Sequence, residues 1–448
     1  MNKLAALTIS IILMTVLASV DVYGESVDNH WPTWRGPDGT GAAKNGNPPI
    51  NWSETENIKW KVEVPGESVS SPVIWEDKIF FLTAIETDKK VENVESEQQD
   101  SGQGGGGRRR MSVQPKAVYK FDVVCMDRKN GKIIWQKTAK EELPHEGHHP
   151  TSSFASSSPV TDGKYVWASF GSRGVHCYDL DGNHKWSKDL GKMNKRMAFG
   201  EGSSAALAGD AVIIVMDHEG DSFIHALNRE TGNTIWKKAR DEGSNWSTPL
   251  TIEVNGKIQV VSNANKFIRS YDVKTGDIIW QCSGQTENVI PCPVTGFGKV
   301  FCMSGYRGSM LQAIELGRTG DLTGTDAISW QVTKGTPYVP SPLLYDDKLY
   351  FCSVNKAEIS CCQAETGKAN FVQQELEGLG DIYASPVGAG GRVYFFSRNG
   401  VAKVIRHSDK FEVLATNKLD DEFSASPAIV GDELYLKGKE HFYCIARP

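Results

Sequence analysis

A Ser-Pro step, or a close variant of it, returns along this chain at Ser71-Pro72, Ser158-Pro159, Ser204-Ala205, Thr248-Pro249, Cys292-Pro293, Ser341-Pro342, Ser385-Pro386 and Ser426-Pro427. After the first interval the steps lie about 41 to 49 residues apart, the length of one four-stranded propeller blade. The first interval is longer because it holds an insertion. Length alone would divide 448 residues into two or three domains. A repeat of this period overrides that expectation, because one such unit cannot bury its own faces and must stack on neighbours.

Within each repeat the order is constant. A few apolar residues and a turn lead to a second strand, as in Lys78-Ile79-Phe80-Phe81, Lys164-Tyr165-Val166-Trp167 and Lys348-Leu349-Tyr350-Phe351. A third strand ends in a turn such as Asn228-Arg229-Glu230-Thr231-Gly232 or Asp272-Val273-Lys274-Thr275-Gly276. Asp or Asn bonds locally to backbone there, and Gly accepts positive φ. The fourth strand then carries an aromatic at a fixed place: Trp135, Trp186, Trp236, Trp280, Trp330 and Phe371. Repeat seven, around Arg392 to Leu419, has no such aromatic.

The run Asp272 to Trp280, Asp-x-x-Thr-Gly-x-x-x-Trp, resembles the tryptophan-docking motif of pyrroloquinoline-quinone (PQQ) type propeller repeats. The resemblance spans nearly all of the chain after its N-terminus. Trp31-Pro32-x-Trp34-Arg35-Gly36-Pro37 and Asn57-Ile58-Lys59-Trp60 are similar to the N-terminal stretches of PQQ-like propellers of planctomycete type. Eight first strands but only seven fourth strands are present, since the chain ends after the third strand of repeat eight. The strand Ile58 to Val64 supplies the missing one, with Trp60 in the docking place. The expected fold is therefore all-β: an eight-bladed propeller of four-stranded antiparallel blades, closed by an N-terminal strand in the last blade. Seven blades would follow if one degenerate repeat merged. Such closure removes free sheet edges.

The expected domains are a signal peptide at 1–24, an N-terminal extended segment at 25–56 and the propeller at 57–448. Lys3, the apolar run Leu4 to Val20 and Val22-Tyr23-Gly24 before Glu25 have the signal pattern. Retention as a membrane anchor is the competing reading. Cleavage would send the chain to the periplasm or outside the cell, with no integral membrane segment afterwards. The insertion 86–116 has an acidic half, then Gly104 to Gly107 and Arg108-Arg109-Arg110, a composition read as disordered. A net charge of −6 argues against nucleic acid as a partner.

Nine cysteines in an exported chain invite a disulfide framework. Their positions argue for another role. Cys125, Cys177, Cys361 and Cys444 occupy one third-strand slot that Ala226, Ser270 and Ala313 fill elsewhere, so the slot takes a small buried side chain. Cys361-Cys362 lie within a strand, where successive side chains point to opposite faces. That arrangement disfavours the vicinal disulfide found in some PQQ alcohol dehydrogenases.

In an up-and-down blade the loops after strands two and four emerge on one face, the default ligand face of a propeller. The candidate residues there are His148, His149, Arg173, Asp217, His218, Arg240, Trp246, Tyr306, Arg307, Tyr338, Asp381 and Arg398. The densest group is His145 to Pro150 facing Asp217 to Asp221, residue types that bind transition metals; no metal is assigned from sequence. No catalytic residue is assigned either. The resemblance implies PQQ with Ca²⁺ as the cofactor of an enzymatic relative, an oxidoreductase acting on an alcohol or sugar. No carboxylate base stands out from its flanks, and no Cys-x-x-Cys-His haem motif occurs. The reading preferred from sequence is a monomeric, non-catalytic scaffold that binds a protein, peptide or glycan through its loop face. The resemblance to outer-membrane-assembly propellers points the same way.

Overall fold

The computed structural model describes residues 30–91 and 112–448. Within them the chain forms eight antiparallel sheets arranged as blades. Blade 1 contains Val73–Trp75, Lys78–Lys90, Ala117–Asp127 and Ile133–Glu142, from the innermost strand outward. Blades 2 to 7 repeat this order. Blade 8 takes Ala428–Val430, Glu433–Lys437 and His441–Ile445 from the C-terminus and Ile58–Glu63 from the N-terminus. Trp60 pairs with Cys444 there, so the expected clasp is present.

The docking aromatics show why the Thr-Gly turn and the tryptophan occur together. Every docking indole except Trp280 packs on the turn glycine of the next blade. A Cβ on Gly131, Gly182, Gly232, Gly276 or Gly367 would lie 2.5–2.8 Å from Trp60, Trp135, Trp186, Trp236 or Trp330 respectively. Those glycines also sit at φ near +71 to +82, where a side chain is strained. The indole N–H then donates to a carbonyl of the same turn, as in Trp60 to Arg128 (3.0 Å), Trp135 to Leu180 (3.0 Å) and Trp236 to Val273 (2.7 Å). Trp280 is fully buried, but its Nε1 has no partner. Blade 5 carries extra chain at that point, and Gly320–Asp321 lies alongside Trp280 as a fifth strand.

The small slot is set by the same aromatics. Cys125, Cys177, Ala226, Ser270, Ala313, Cys361 and Cys444 stand directly across from Trp135, Trp186, Trp236, Trp280, Trp330, Phe371 and Trp60. Blade 7 inverts the pair, with Ala415 in the aromatic place and the larger Val404 opposite. Trp52, from the N-terminal segment, packs with Tyr394, Phe396 and blade 8 residues and fills the space left there. All nine cysteines are buried and free. Burial pushes the thiols of Cys125 and Cys444 up to about 12. Cys361 and Cys362 pack into different cores, as their alternation requires.

The recurring Ser-Pro steps form the inner belt. The backbone N–H of Ser71 donates to Ser158 Oγ (2.9 Å), Ser158 to Ser204 (2.8 Å), Ser204 to Thr248 (3.0 Å) and Thr248 to Cys292 Sγ (3.1 Å). Cys292 continues to Ser341, Ser341 to Ser385, Ser385 to Ser426 and Ser426 back to Ser71, each at 2.9 Å. Eight links close the circle. An acceptor on Cβ, a hydroxyl in seven steps and the Cys292 thiol in the eighth, is what each step requires, which is why Ser204 keeps its serine although Ala205 replaces the proline.

Below this belt the N-terminal segment closes the channel. His30–Trp31 adds to the inner edge of blade 1, and Ala42–Ala43 adds to that of blade 7. Between them Arg35, buried, donates to the carbonyls of Pro386 (3.0 Å) and Pro342 (2.8 Å) just beneath the belt. The insertion is shorter than its composition implied. Glu86 to Lys90 continue the second strand, pairing Glu86 with Tyr119 and Lys90 with Ala117. Val113 exchanges backbone hydrogen bonds with His148. Backbone pairing thus orders both flanks. The expected signal peptide at 1–24 and residues 92–111 lie outside the described residues.

Candidate functional site: a cavity on the loop face

Above the belt lies a cavity of about 340 Å³. Its floor is Trp34 and seven belt residues, among them Ser71, Thr248 and Cys292, and its walls carry Phe199, Trp246, Tyr306, Tyr338, Tyr383 and His149. The outer-strand-to-inner-strand loops supply most of these side chains, as the blade geometry requires. Each ring is held. Trp246 donates Nε1 to the Gly200 carbonyl (2.8 Å), and the Lys195 ammonium lies 4.3 Å from its ring centroid. Lys195 is itself buried, donating to the carbonyls of Asp217 (2.7 Å) and Asn245 (2.8 Å). Burial lowers its amine to about 8. Tyr306 and Tyr338 stack at 4.9 Å, and the Arg398 guanidinium lies 5.2 Å over Tyr383. His149 meets Phe199 edge-on at 5.0 Å and bonds Thr151 Oγ1 through Nδ1.

Of the residues proposed from sequence, His149, Trp246, Tyr306 and Tyr338 meet at this cavity. His148 and Arg398 line a second, more polar concavity of about 630 Å³ beside it, with Lys437, Glu67 and Glu86. Arg398 there pairs with Glu422. Asp217 and Arg240 instead grip each other in the wall. Arg240 Nε and Nη2 reach the two carboxylate oxygens at 2.7 and 3.0 Å, and Nη1 reaches Tyr271 Oη. Both side chains are buried, and the carboxylate beside it raises the Arg240 value. Arg173 is buried over Phe121, near Glu142 (3.4 Å) and Glu201 (3.3 Å). His218 Nδ1 accepts from the backbone of Asn194 and Gly220, and burial lowers its pKa. Arg307 is exposed and 3.8 Å from Glu287, while Asp381 is exposed and its carbonyl accepts from Arg398 N–H.

The two polar loops do not face one another directly. Residues 193–195 run between them, with Met193 O on His145 Nε2, Lys195 N–H on Glu146, and Asn194 on His218 and Glu219. His145 and Glu146 meet Glu201 instead, and the three ligand atoms lie within 4.8 Å of one another. Burial and the Glu201 charge raise the Glu146 carboxyl to about 7. Sequence reasoning missed Trp34, Phe199 and Glu201: Trp34 belongs to the N-terminal segment, and Phe199 and Glu201 lie in the outer-to-inner loop after blade 2, from which no residue was singled out. Trp34 was visible only as part of the N-terminal motif.

A family model described as outer membrane protein assembly factor BamB matches residues 120–373, more than half of the chain. The chain belongs to the BamB family. Among solved structures it is similar to BamB from Moraxella catarrhalis, with 15% identity and a TM-score of 0.54, covering 81% of this chain and 98% of that one. A europium-containing methanol dehydrogenase matches at 12% identity and TM-score 0.44, covering 91% of this chain and 89% of that one. The computationally designed Ika8 protein matches at 13% and 0.45, covering 74% and 95%. No curated protein sequence matches. The first of these likenesses supports the fold that the belt and the docking tryptophans already establish.

The quinone that the repeat resemblance implies can be tested against the cavity. PQQ is a tricarboxylate, and buried carboxylates need paired cations or several N–H donors. Among the described residues lining the cavity there is no Lys or Arg, and Glu201 adds a negative charge. Lys195 and Arg35 are turned to backbone carbonyls. These residues do not fit PQQ.

Proposed function

We propose that this chain is an exported binding module, a scaffold whose loop face captures a segment of a partner protein. The cavity carries the reading: a dead-end pocket walled by aromatic rings and floored by hydroxyls, without cationic lining. Interface energy concentrates where an aromatic or other large side chain fills such a pocket and water is excluded around it. The volume suits one or two side chains, so the rest of a peptide would lie across the surrounding loops. Membership of a family described by outer-membrane protein assembly supports a protein partner. No described helix is long and apolar enough to cross a membrane.

The test is selection of displayed peptides on the full chain. Enriched sequences should share an aromatic anchor, and their binding should quench tryptophan fluorescence. Trp246→Ala combined with Tyr338→Ala should weaken binding by roughly a hundredfold, a double hot-spot loss. Selection of oligosaccharides in preference to peptides would replace the protein reading by the glycan one. Binding unchanged by the double substitution would move the site elsewhere.

A further inference from the structure

We propose that His145, Glu146 and Glu201 form a site for a first-row divalent cation, Zn²⁺ or Mn²⁺, on the wall of the loop-face cavity. His145 and Glu146 come from the loop after the outer strand of blade 1, and Glu201 from the loop after the outer strand of blade 2. The ion would therefore staple two successive loops. It is independent of whether a peptide enters the cavity.

The imidazole is set for this role. His145 Nε2 lies 2.7 Å from the Met193 carbonyl. A carbonyl only accepts, so Nε2 carries the proton and Nδ1 presents a lone pair. That Nδ1 is buried and has no hydrogen-bond partner. A carbonyl behind one ring nitrogen, with the other nitrogen free, is how metal-ligating histidines are oriented.

The carboxylates are equally fixed. Glu201 accepts from the N–H (2.7 Å) and the hydroxyl (2.5 Å) of Ser172, and Glu146 accepts from Lys195 N–H at 3.1 Å. Each oxygen keeps a further lone pair. Gly171 makes room, because a Cβ there would stand 1.8 Å from Glu201 Oε2. Arg173 lies 3.4 Å from Glu142 and 3.3 Å from Glu201, and Lys140 meets Glu142 at 4.0 Å, while Glu146 has no ion pair among the described residues. The Lys195 ammonium hydrogen-bonds carbonyls, not these carboxylates.

One nitrogen and two carboxylates suit Zn²⁺ or Mn²⁺ better than Cu⁺, which wants sulfur, or Ca²⁺, which wants oxygen alone. Three protein ligands leave coordination positions open, unlike a closed structural site. Glu201 also lines the cavity, so an open position would give onto it.

Chelator-treated full chain, titrated calorimetrically with ZnCl₂ and with MnCl₂, should take up one equivalent of at least one ion, and CaCl₂ should compete poorly. His145→Ala and Glu201→Gln should each weaken binding by at least about tenfold. His184→Ala, an exposed histidine in blade 2, should leave it unchanged. Metal should raise the melting temperature of wild type and not of variants whose metal-free melting matches it. Should a variant fail to fold, anomalous scattering from Zn²⁺-soaked wild-type crystals decides: a peak beside His145 Nδ1 is expected. A peak only elsewhere, no uptake, or uptake indifferent to His145→Ala overturns the proposal.

Discussion

Truncating Trp60 to alanine perturbs the point at which the ring closes. The indole packs on Tyr435 and Phe442, with centroids at 6.1 and 5.6 Å, lies over Gly131 and donates to Arg128 O at 3.0 Å. Removing a buried tryptophan costs about 3–5 kcal/mol. Trp60 keeps partial exposure, which places it near about 3, and the lost hydrogen bond adds about 1 kcal/mol. A cost of about 3–4 kcal/mol is large against the roughly 5–15 kcal/mol that holds a typical domain. Urea melting measures the sum, and amide hydrogen exchange shows where it falls. Exchange should rise together in 58–63 and 441–445, the two strands that pair across the closure. Trp135→Ala is the control. Its indole makes the same kind of contact, to Leu180 O and Gly182, but in a blade made of consecutive strands. It should leave 441–445 protected. If Trp60→Ala left exchange in 441–445 unchanged, the clasp would not be what closes the ring.

Further outcomes follow from single contacts. Trp236→Phe should cost about 1 kcal/mol more than Trp280→Phe in denaturant melts, because only Trp236 loses an indole hydrogen bond. Equal costs would show that packing alone holds the docking rings. Burial lowers His176 and His225 to about 4 from 6.5. The unfolded chain then binds more protons between those values, so the stability these groups contribute is present above about 6.5 and lost as pH falls towards 4. His176→Gln should flatten that part of a stability–pH curve, and a curve unaltered by it would locate the acid sensitivity elsewhere. Arg35→Ala strands the Pro342 and Pro386 carbonyls, and should expose Trp34 to acrylamide quenching and residues 30–52 to protease. Unchanged quenching and proteolysis would mean that strand pairing alone seats the plug.

The fold was legible in the sequence because each blade must solve the same packing problem. The Ser-Pro step marks the belt, the Thr-Gly turn marks the seat for an indole, and the small third-strand residue marks the space opposite it. Each is a local requirement with one or two residue types that meet it. Blade 7 shows the limit of that logic. Its docking place holds Ala415, and the compensation comes partly from Val404 across the strand and partly from Trp52, distant in sequence. The site was legible only in outline. Loop topology placed His149, Trp246, Tyr306 and Tyr338 on the face that carries the cavity, but it could not tell a side chain that turns into the cavity from one that turns into the wall. Asp217 and Arg240 satisfy each other, and a charge that finds a buried partner gains nothing from facing a ligand. Glu201 was invisible because its meaning comes from His145, Glu146 and the space at Gly171, which no spacing in the chain records.

The loop-face cavity as the binding site is tested most directly by hydrogen exchange on the full chain with a display-selected peptide bound. Protection should appear in 149–156, 199–204 and around Trp246, Tyr338 and Tyr383, the segments that wall the cavity. Protection confined to the opposite face, around 30–52 where the N-terminal segment closes the channel, would contradict the account.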